Sequence, residues 1–203
     1  MSGVAATVGD APVPVDEVDA REARLRASPL AAALPAAGTS EGRQLRRWLT
    51  QLIVTERVVA AEAAAHGLTA RDAPTEAELL PDVTARLDIG SVAAAALADP
   101  LARALFAHVT AAIDVTDDEV ADYHARNPLR FATPRASRCG WRAPALSPPL
   151  QQVRAAIAEH LRGAARRRAF RVWLDARRAA LVALAPGYEH PGDPRQPDNT
   201  HRH

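Results

Sequence analysis

Three of the seven histidines of this 203-residue chain fall within its last fourteen positions, in the segment GYEHPGDPRQPDNTHRH. His201 and His203 are two residues apart, so in an extended backbone both imidazoles leave the same face. His190 precedes a Pro-Gly pair that favours a type II turn, which folds the segment back on itself. Three imidazoles, with a carboxylate nearby, suit a divalent transition metal such as zinc, copper, nickel or iron. One hypothesis is therefore a metal-binding protein or metalloenzyme that uses His190, His201 and His203.

The composition of the same segment supports a second interpretation. Residues 185–203 are rich in proline and polar side chains and poor in apolar ones. That composition is typical of a disordered chain end, because too little apolar surface is available for burial. We predict an irregular tail over residues 185–203, with or without a bound metal.

Two other residues invite a nucleophile interpretation. Ser40 lies in GTSEG, which fits the pattern G-x-S-x-G, but that motif works only on a turn between a strand and a helix above a parallel sheet. We predict instead that Ser40 is the N-cap of a long helix. Cys139, the single cysteine, has Arg138 and Arg142 nearby, and positive charge lowers a thiol pKa. A lone cysteine in a loop is more often incidental, and we assign it no role.

Four further histidines each stand alone in a predicted helix, and we expect them at surface positions or helix ends: His66, His108, His124 and His160.

The charge distribution argues against a nucleic-acid-binding protein. All 25 basic residues are arginine and the formal net charge is only +1. Residues 150–184 carry 8 arginines against 2 acidic residues, whereas residues 1–149 carry 15 against 19. The arginines of RGAARRRAFR alternate with alanine and phenylalanine at helical spacing, as on a solvated helix face. We predict that this basic segment lies near the acidic N-terminal part of the chain.

Apolar periodicity predicts a mainly α-helical protein. Val8, the Gly9-Asp10 pair, and Val13 and Val15 indicate a short extended or hairpin-like entry, after which Asp16 is expected to cap a first helix. A helix of about 26 residues follows, up to the stop at Gly67. The later helix starts are predicted from local capping signals: capping boxes at Thr75 and Thr116, and a cap at Asp99-Pro100.

The chain divides into four predicted parts. Residues 1–131 form an N-terminal helical part, and residues 132–149, with four prolines, form a linker. Residues 150–184 are predicted to be one long helix with an apolar stripe, and residues 185–203 are the tail. Because so long a stripe needs a partner, we expect this helix to pack back on the N-terminal helices and complete their core.

The order of these parts resembles the chaperone module of the SurA/PrsA-like parvulin foldases. The similar segments are VDEVDAR, LRRWLTQLIVTERVVAAEAAAHGL, VTDDEVADYHARNPLRFATP and VRAAIAEHLRGAARRRAFRVWLDARRAALV. The most specific of them is the pattern from Val115 to Phe131. In such foldases an isomerase domain lies between that pattern and the last helix, whereas here the gap is the linker of residues 132–149. No residue of this chain matches the catalytic residues of a parvulin.

The resemblance implies a helical chaperone-type module that binds a polypeptide client and has no prolyl isomerase activity. By resemblance, a client segment would lie in a groove between the N-terminal helices and the last helix. The aromatic residues expected to receive its apolar side chains are Trp48, Phe106 and Trp173. The chain shows no secretory signal and no apolar stretch of the ~20 residues that a membrane span needs. We therefore expect a cytoplasmic protein that does not enter membranes.

Overall fold

The computed structural model describes residues 3–131 and 148–192 of the chain. Within these ranges the protein is mainly helical, with one small sheet, as predicted from the apolar periodicity. The strands are β1 (Val4–Val8), β2 (Ala11–Pro14) and β3 (Val182–Leu184). The helices are α1 (Val15–Arg26), α2 (Ser40–Ala65), α3 (Glu76–Leu79), α4 (Val83–Ile89), α5 (Ser91–Ala96), α6 (Pro100–Val109), α7 (Asp117–Arg126) and α8 (Leu150–Leu181).

The sheet joins the beginning of the chain to the end of the last helix. Strands β1 and β2 form the predicted hairpin, and Gly9 at its turn has a φ of 55°, which glycine adopts without strain. Strand β3 pairs antiparallel with the other edge of β1, with Val182 opposite Val8. The prediction of a helix through Leu184 is therefore wrong by three residues. The helix ends at Leu181, because the backbone groups of residues 182–184 form hydrogen bonds with β1 instead.

Helix α2 runs through the centre of the main hydrophobic core. Its residues Leu49, Ile53, Val54 and Val58 are buried against β1, α5 and α6. The core also contains Phe106 of α6 and Phe170 of α8, whose ring centroids lie 5.0 Å apart. An aromatic pair at this separation adds to the stabilisation that burial alone provides.

Helix α8 packs back on the preceding helices, as predicted from its apolar stripe. It contacts α2, α4 and α7, and its residues Phe170 and Leu174 enter the main core. The predicted proximity of basic and acidic segments is also confirmed. Ion pairs join α8 to the N-terminal part. Arg162 pairs with Asp114 at 2.8 Å, Arg167 with Asp88, and Arg177 with Glu62.

Local capping explains where several helices begin. The two predicted capping boxes, at Thr75 and Thr116, are both present, and Asp99 accepts from the backbone N–H of Leu101 at 2.8 Å. The predictions for Ser40 and Asp16 are wrong. Thr39 is the N-cap of α2, because its hydroxyl oxygen accepts from the backbone N–H of Gly42, and Ser40 is the first helical residue.

Asp16 lies within the first turn of α1, after an N-cap at Pro14 that makes no side-chain hydrogen bond. An acidic residue there interacts favourably with the positive end of the helix dipole without being the cap.

Candidate functional site

The three aromatic residues expected to bind a client do not gather around one cavity. Phe106 is only 2% exposed and packs on Phe170 in the core. Trp173 is half-buried and stacks on the same Phe170 ring at 5.6 Å. Trp48, also half-buried, donates from Nε1 to Ser91 Oγ at 3.2 Å. Of the three, Phe106 lines the largest cavity described below, and the two tryptophans do not.

A cavity of about 610 Å³ opens between α8, the last turn of α6 and residues 72–79. Its apolar walls come from Pro74, Leu79, Phe106, Ala107 and Ala155. Its charged residues are Asp72, Glu78, Glu159, Arg162 and Arg166. The cavity thus presents apolar walls and charged side chains side by side.

A second cavity, of about 350 Å³, lies on the α4 side of α8. The two cavities share Glu78, Glu159 and Gly163, so they adjoin along the helix. The second is also lined by residues of α3, α4, α8, the turn before α4 and the segment after α7. Among them are Ala85, Asp88, Arg130, His160 and Arg167. Both cavities together are called the α8 groove below.

Gly163 lies at the junction of the two cavities, in the interior of a 32-residue helix. Glycine in that position costs roughly 1 kcal/mol relative to alanine. A Cβ at residue 163 would lie 3.1 Å from Arg167 Nη1, so glycine leaves room for that guanidinium. The missing side chain also keeps the passage between the two cavities open.

Neighbouring groups form an ion pair or hydrogen bonds with two of the charged side chains that line the larger cavity, Arg162 and Glu78. Arg162 pairs with Asp114 at 2.8 Å, and the pKa of Asp114 is lowered first by the backbone N–H of Val115 and then by Arg162. Backbone and hydroxyl hydrogen bonds from Thr75 lower the pKa of Glu78. Both carboxyl groups are therefore ionised at neutral pH, and the rim presents fixed charges of both signs.

Arg167 is the most deeply buried charge of the groove, with 6% of the residue exposed. Its two polar contacts are long: Nη2 lies 3.5 Å from an oxygen of Asp88, and Nη1 donates to the carbonyl of Leu79 at 3.4 Å. Its Nε is buried and has no hydrogen-bond partner among the described residues. This guanidinium therefore has capacity for a further acceptor.

His160 is expected from the sequence to stand alone on its helix, but the fold places it in a cluster. Its Nε2 lies 3.2 Å from the hydroxyl of Tyr123, and the rings of Tyr123 and Phe131 lie beside it. Burial lowers the pKa of His160, and the charges of Arg130 and Arg167 lower it further. The neutral imidazole is therefore favoured. The packing of α8 against α7 brings these residues together, so local sequence carries no signal for the cluster.

A second pair of histidines also comes together. The rings of His66, at the end of α2, and His108, in the last turn of α6, have centroids 4.6 Å apart. Both residues are exposed. Within residues 3–131 and 148–192, no three or more histidine, cysteine or acidic residues are grouped so that they could hold a metal ion.

Of the predicted metal ligands, the structure describes only His190; His201 and His203 lie outside the described residues. The Nδ1 of His190 accepts from the backbone N–H of Gly192 at 3.0 Å. A neutral ring that accepts at Nδ1 carries its proton on Nε2, so neither nitrogen offers a free lone pair to a metal. The metal site of the tail stays a prediction, and this arrangement of His190 does not favour it.

The tail is nevertheless attached to the helices at its beginning. The amide of Gln51 donates to the carbonyl of Tyr188 at 3.1 Å, and the backbone N–H of Ala185 donates to Ala5 at 2.9 Å. The side chain of Tyr188 packs against the main core. The described part of the tail, residues 185–192, is thus irregular in backbone but fixed by contacts.

Ser40 has no setting for nucleophilic chemistry. Its hydroxyl donates to the adjacent Glu41 carboxylate at 2.9 Å, and the strands of the described residues form an antiparallel sheet of three. The strand and parallel sheet that G-x-S-x-G requires are not found in the described residues. Cys139 lies outside the described residues.

The comparison with protein families gives one match, to a family of unknown function (DUF7158), over residues 4–41. That range covers β1, β2 and α1 and reaches the first two residues of α2. Neither the curated proteins nor the solved structures gave a match. The match therefore concerns the entry hairpin and first helix and does not extend to the α8 groove. Among the described residues, no helix combines the length and the apolar character that crossing a membrane requires.

Proposed function

We propose that this protein is a polypeptide-binding module of chaperone type, without prolyl isomerase activity, and that the α8 groove holds a segment of the client. The observation that carries the proposal is the pair of adjoining cavities along α8, which meet at Gly163. The resemblance of the helical segments to SurA/PrsA-like foldases supports the same role. It also agrees with the position of the groove, between the last helix and the helices that precede it.

The dimensions of the groove suit an extended segment. Its lining residues on α8 run from Ala155 to Arg167, which corresponds to roughly 18 Å at 1.5 Å per residue. An extended chain of about five residues covers that length. Apolar side chains would lie on Leu79, Phe106 and Ala107, where they would be removed from water.

The polar groups of the groove suit the backbone of such a segment. Arg167 makes only long polar contacts among the described residues, and Glu159 is an exposed carboxylate about two turns earlier on the same helix; both line the second cavity. A peptide backbone supplies both carbonyl acceptors and N–H donors. In this proposal the groove binds by apolar burial and backbone hydrogen bonds, which allows clients of different sequence.

A matched pair of leucine substitutions on α8 tests the proposal. Ala155 and Ala176 are both exposed alanines in the helix, but Ala155 lines the larger cavity, whereas Ala176 lines neither cavity of the groove. We expect Ala155→Leu to fill the groove and weaken the binding of a labelled short apolar peptide about tenfold or more, measured by fluorescence anisotropy. Ala176→Leu should leave the affinity unchanged.

Thermal unfolding of both variants provides the control for folding, since leucine and alanine both favour helix. Equal loss of binding in both variants would contradict the groove as the site. A wild-type protein that binds neither apolar peptides nor a permanently unfolded protein would contradict the function itself. A standard peptide assay should also show no acceleration of prolyl isomerisation.

A further inference from the structure

A third cavity, of about 270 Å³, lies farther along α8, beside α5 and the beginning of the tail. Its α8 residues include Arg171 and Arg178, which are seven positions apart and therefore share a helix face. Ser91 and His190 line it from the opposite side. The cavity is separate from the α8 groove and shares none of the groove's lining residues.

Neither arginine forms an ion pair with a carboxylate among the described residues. Arg171 Nη1 donates to the backbone carbonyl of Asp88 at 2.9 Å, and Arg178 Nη2 donates to the side-chain oxygen of Gln51. The Nε of Arg178 is buried and has no partner in the same part of the chain. Burial lowers the pKa of Arg178, although the negative charge of Asp175 opposes this. Among the described residues, the direct hydrogen-bond partners of these two cations are thus neutral groups.

Two neutral hydrogen-bond donors, Ser91 and His190, also line this cavity. Ser91 Oγ already accepts from Trp48 Nε1, so its own hydroxyl hydrogen is free to donate. His190 accepts at Nδ1 from Gly192, which leaves a proton on Nε2 of the neutral ring. Against these donors, Asp175 is the one acidic side chain among the residues that line the cavity.

We propose that this cavity is a binding site for an oxyanion group, a phosphate or a carboxylate. Planar guanidinium groups bind both kinds of group through paired N–H···O bonds, and a partly desolvated arginine gains most from such a partner. Arg178 and Ser91 do not line the α8 groove, and this site would give both of them a role. A bound anion would join α8, α5 and His190 of the tail.

Titration calorimetry at low, fixed ionic strength tests the site, with inorganic phosphate in one arm and succinate in the other. Arg171→Gln and Arg178→Gln should each weaken binding about tenfold, since each removes a charged hydrogen-bond donor. Arg168→Gln is the matched control, because Arg168 is an exposed arginine of the same helix that does not line the cavity. It should leave binding unchanged.

The two arms distinguish the source of the oxyanion group: heat with phosphate alone indicates a phosphate ligand, and heat with succinate indicates a carboxylate ligand. Arg171 is exposed, so its substitution tests the site even where Arg178→Gln fails to fold. The proposal is overturned by a wild-type protein that binds neither anion at millimolar concentration. It is equally overturned if Arg168→Gln weakens binding as much as Arg171→Gln, because the effect would then come from net charge.

Discussion

The two halves of α8 continue one helix but contact very different surroundings. Residues 168–181 place Phe170 and Leu174 in the main core and end directly at β3. Residues 150–167 bury Ile157 and the charged Arg167, and neither of these belongs to the main core. The α8 groove lies along this first half. An uninterrupted helix thus belongs to the main core at one end and forms a wall of the α8 groove at the other.

The difference teaches that the apolar stripe of a helix does not reveal how tightly each part of it is packed. Both halves show helical periodicity, but the second places Phe170 and Leu174 among the buried apolar residues of the main core. The first half meets the short helices α3, α4 and α7, between which cavities remain. Stability is therefore expected to concentrate in the second half, and binding in the first.

The largest effect on stability should come from the aromatic anchor of the second half. Phe170→Ala is expected to lower the free energy of unfolding by about 3–5 kcal/mol, because it leaves a cavity against Phe106 and Trp173. Val172→Ala, at a position 60% exposed, should change it by less than about 0.5 kcal/mol. Urea denaturation measures both. Similar values for the two variants would remove the basis for the comparison.

Hydrogen exchange measures the difference in stability between the two halves of α8 directly. Ile157→Ala should speed exchange in α7 and the first half of α8, because Ile157 is buried outside the main core. The slowest amides of α2 should exchange at the wild-type rate after that substitution, but faster after Phe170→Ala. If both variants change α2 equally, then the two halves of α8 unfold as one unit.

Two arginines, one from each half, should respond differently to replacement by methionine. Arg177 donates to Glu62, whose side chain is only 9% exposed, so Arg177→Met leaves a buried carboxylate unpaired and should cost about 1–2 kcal/mol. Arg167 makes only long contacts, and Arg167→Met should be neutral or slightly stabilising, by up to ~1 kcal/mol. Chemical denaturation of both variants measures the contrast. A larger loss of unfolding free energy for Arg167→Met than for Arg177→Met would contradict this, because the long contacts of Arg167 would then stabilise the fold more than their geometry suggests.

Most features that depend on local chemistry were predictable from the sequence. The capping boxes at Thr75 and Thr116 each involve residues three positions apart, so both partners are visible in a short stretch. Thr39 and Ser40 are adjacent hydroxyl residues, and either satisfies the sequence rule for an N-cap; the hydrogen bond to Gly42 decides for Thr39.

Features that depend on distant contacts were not predictable in the same way. Val182–Leu184 continues the apolar pattern of α8, and only pairing with β1, at the other end of the chain, converts it to a strand. The cluster of His160 with Tyr123 and the pair of His66 with His108 join residues 37 and more positions apart. The α8 groove depends on the gap between α8 and α3, which no periodicity encodes.

A smaller, local effect should follow from removing the cap of α7. Thr116→Ala removes the hydroxyl that accepts from Glu119 N–H and is expected to cost about 1 kcal/mol. Because α7 contacts the first half of α8, exchange should accelerate there more than in residues 168–181. Measurement of exchange by mass spectrometry distinguishes this from uniform destabilisation, which would contradict separate stability of the two halves.

The smallest effect concerns pH. Because the folded-state pKa of His160 is lowered, the unfolded chain binds the proton more readily than the folded one. Stability should therefore be fully retained above about pH 6.5, the ordinary histidine pKa, and decline as the pH falls from there through the lowered pKa. His160→Gln should flatten this decline. Denaturation midpoints across the range give the measurement, and an unchanged slope in the variant would assign the decline to other groups.

The most direct test of the groove is to map the bound client by amide chemical shifts in the labelled protein. Addition of an apolar peptide should perturb residues that line the α8 groove, namely Leu79, Ala107, Ala155 and Gly163, and leave residues 172–181 unchanged. Perturbation centred instead on Trp48 and Trp173, or no perturbation at saturating peptide, would contradict the assignment of the first half of α8 as the binding surface.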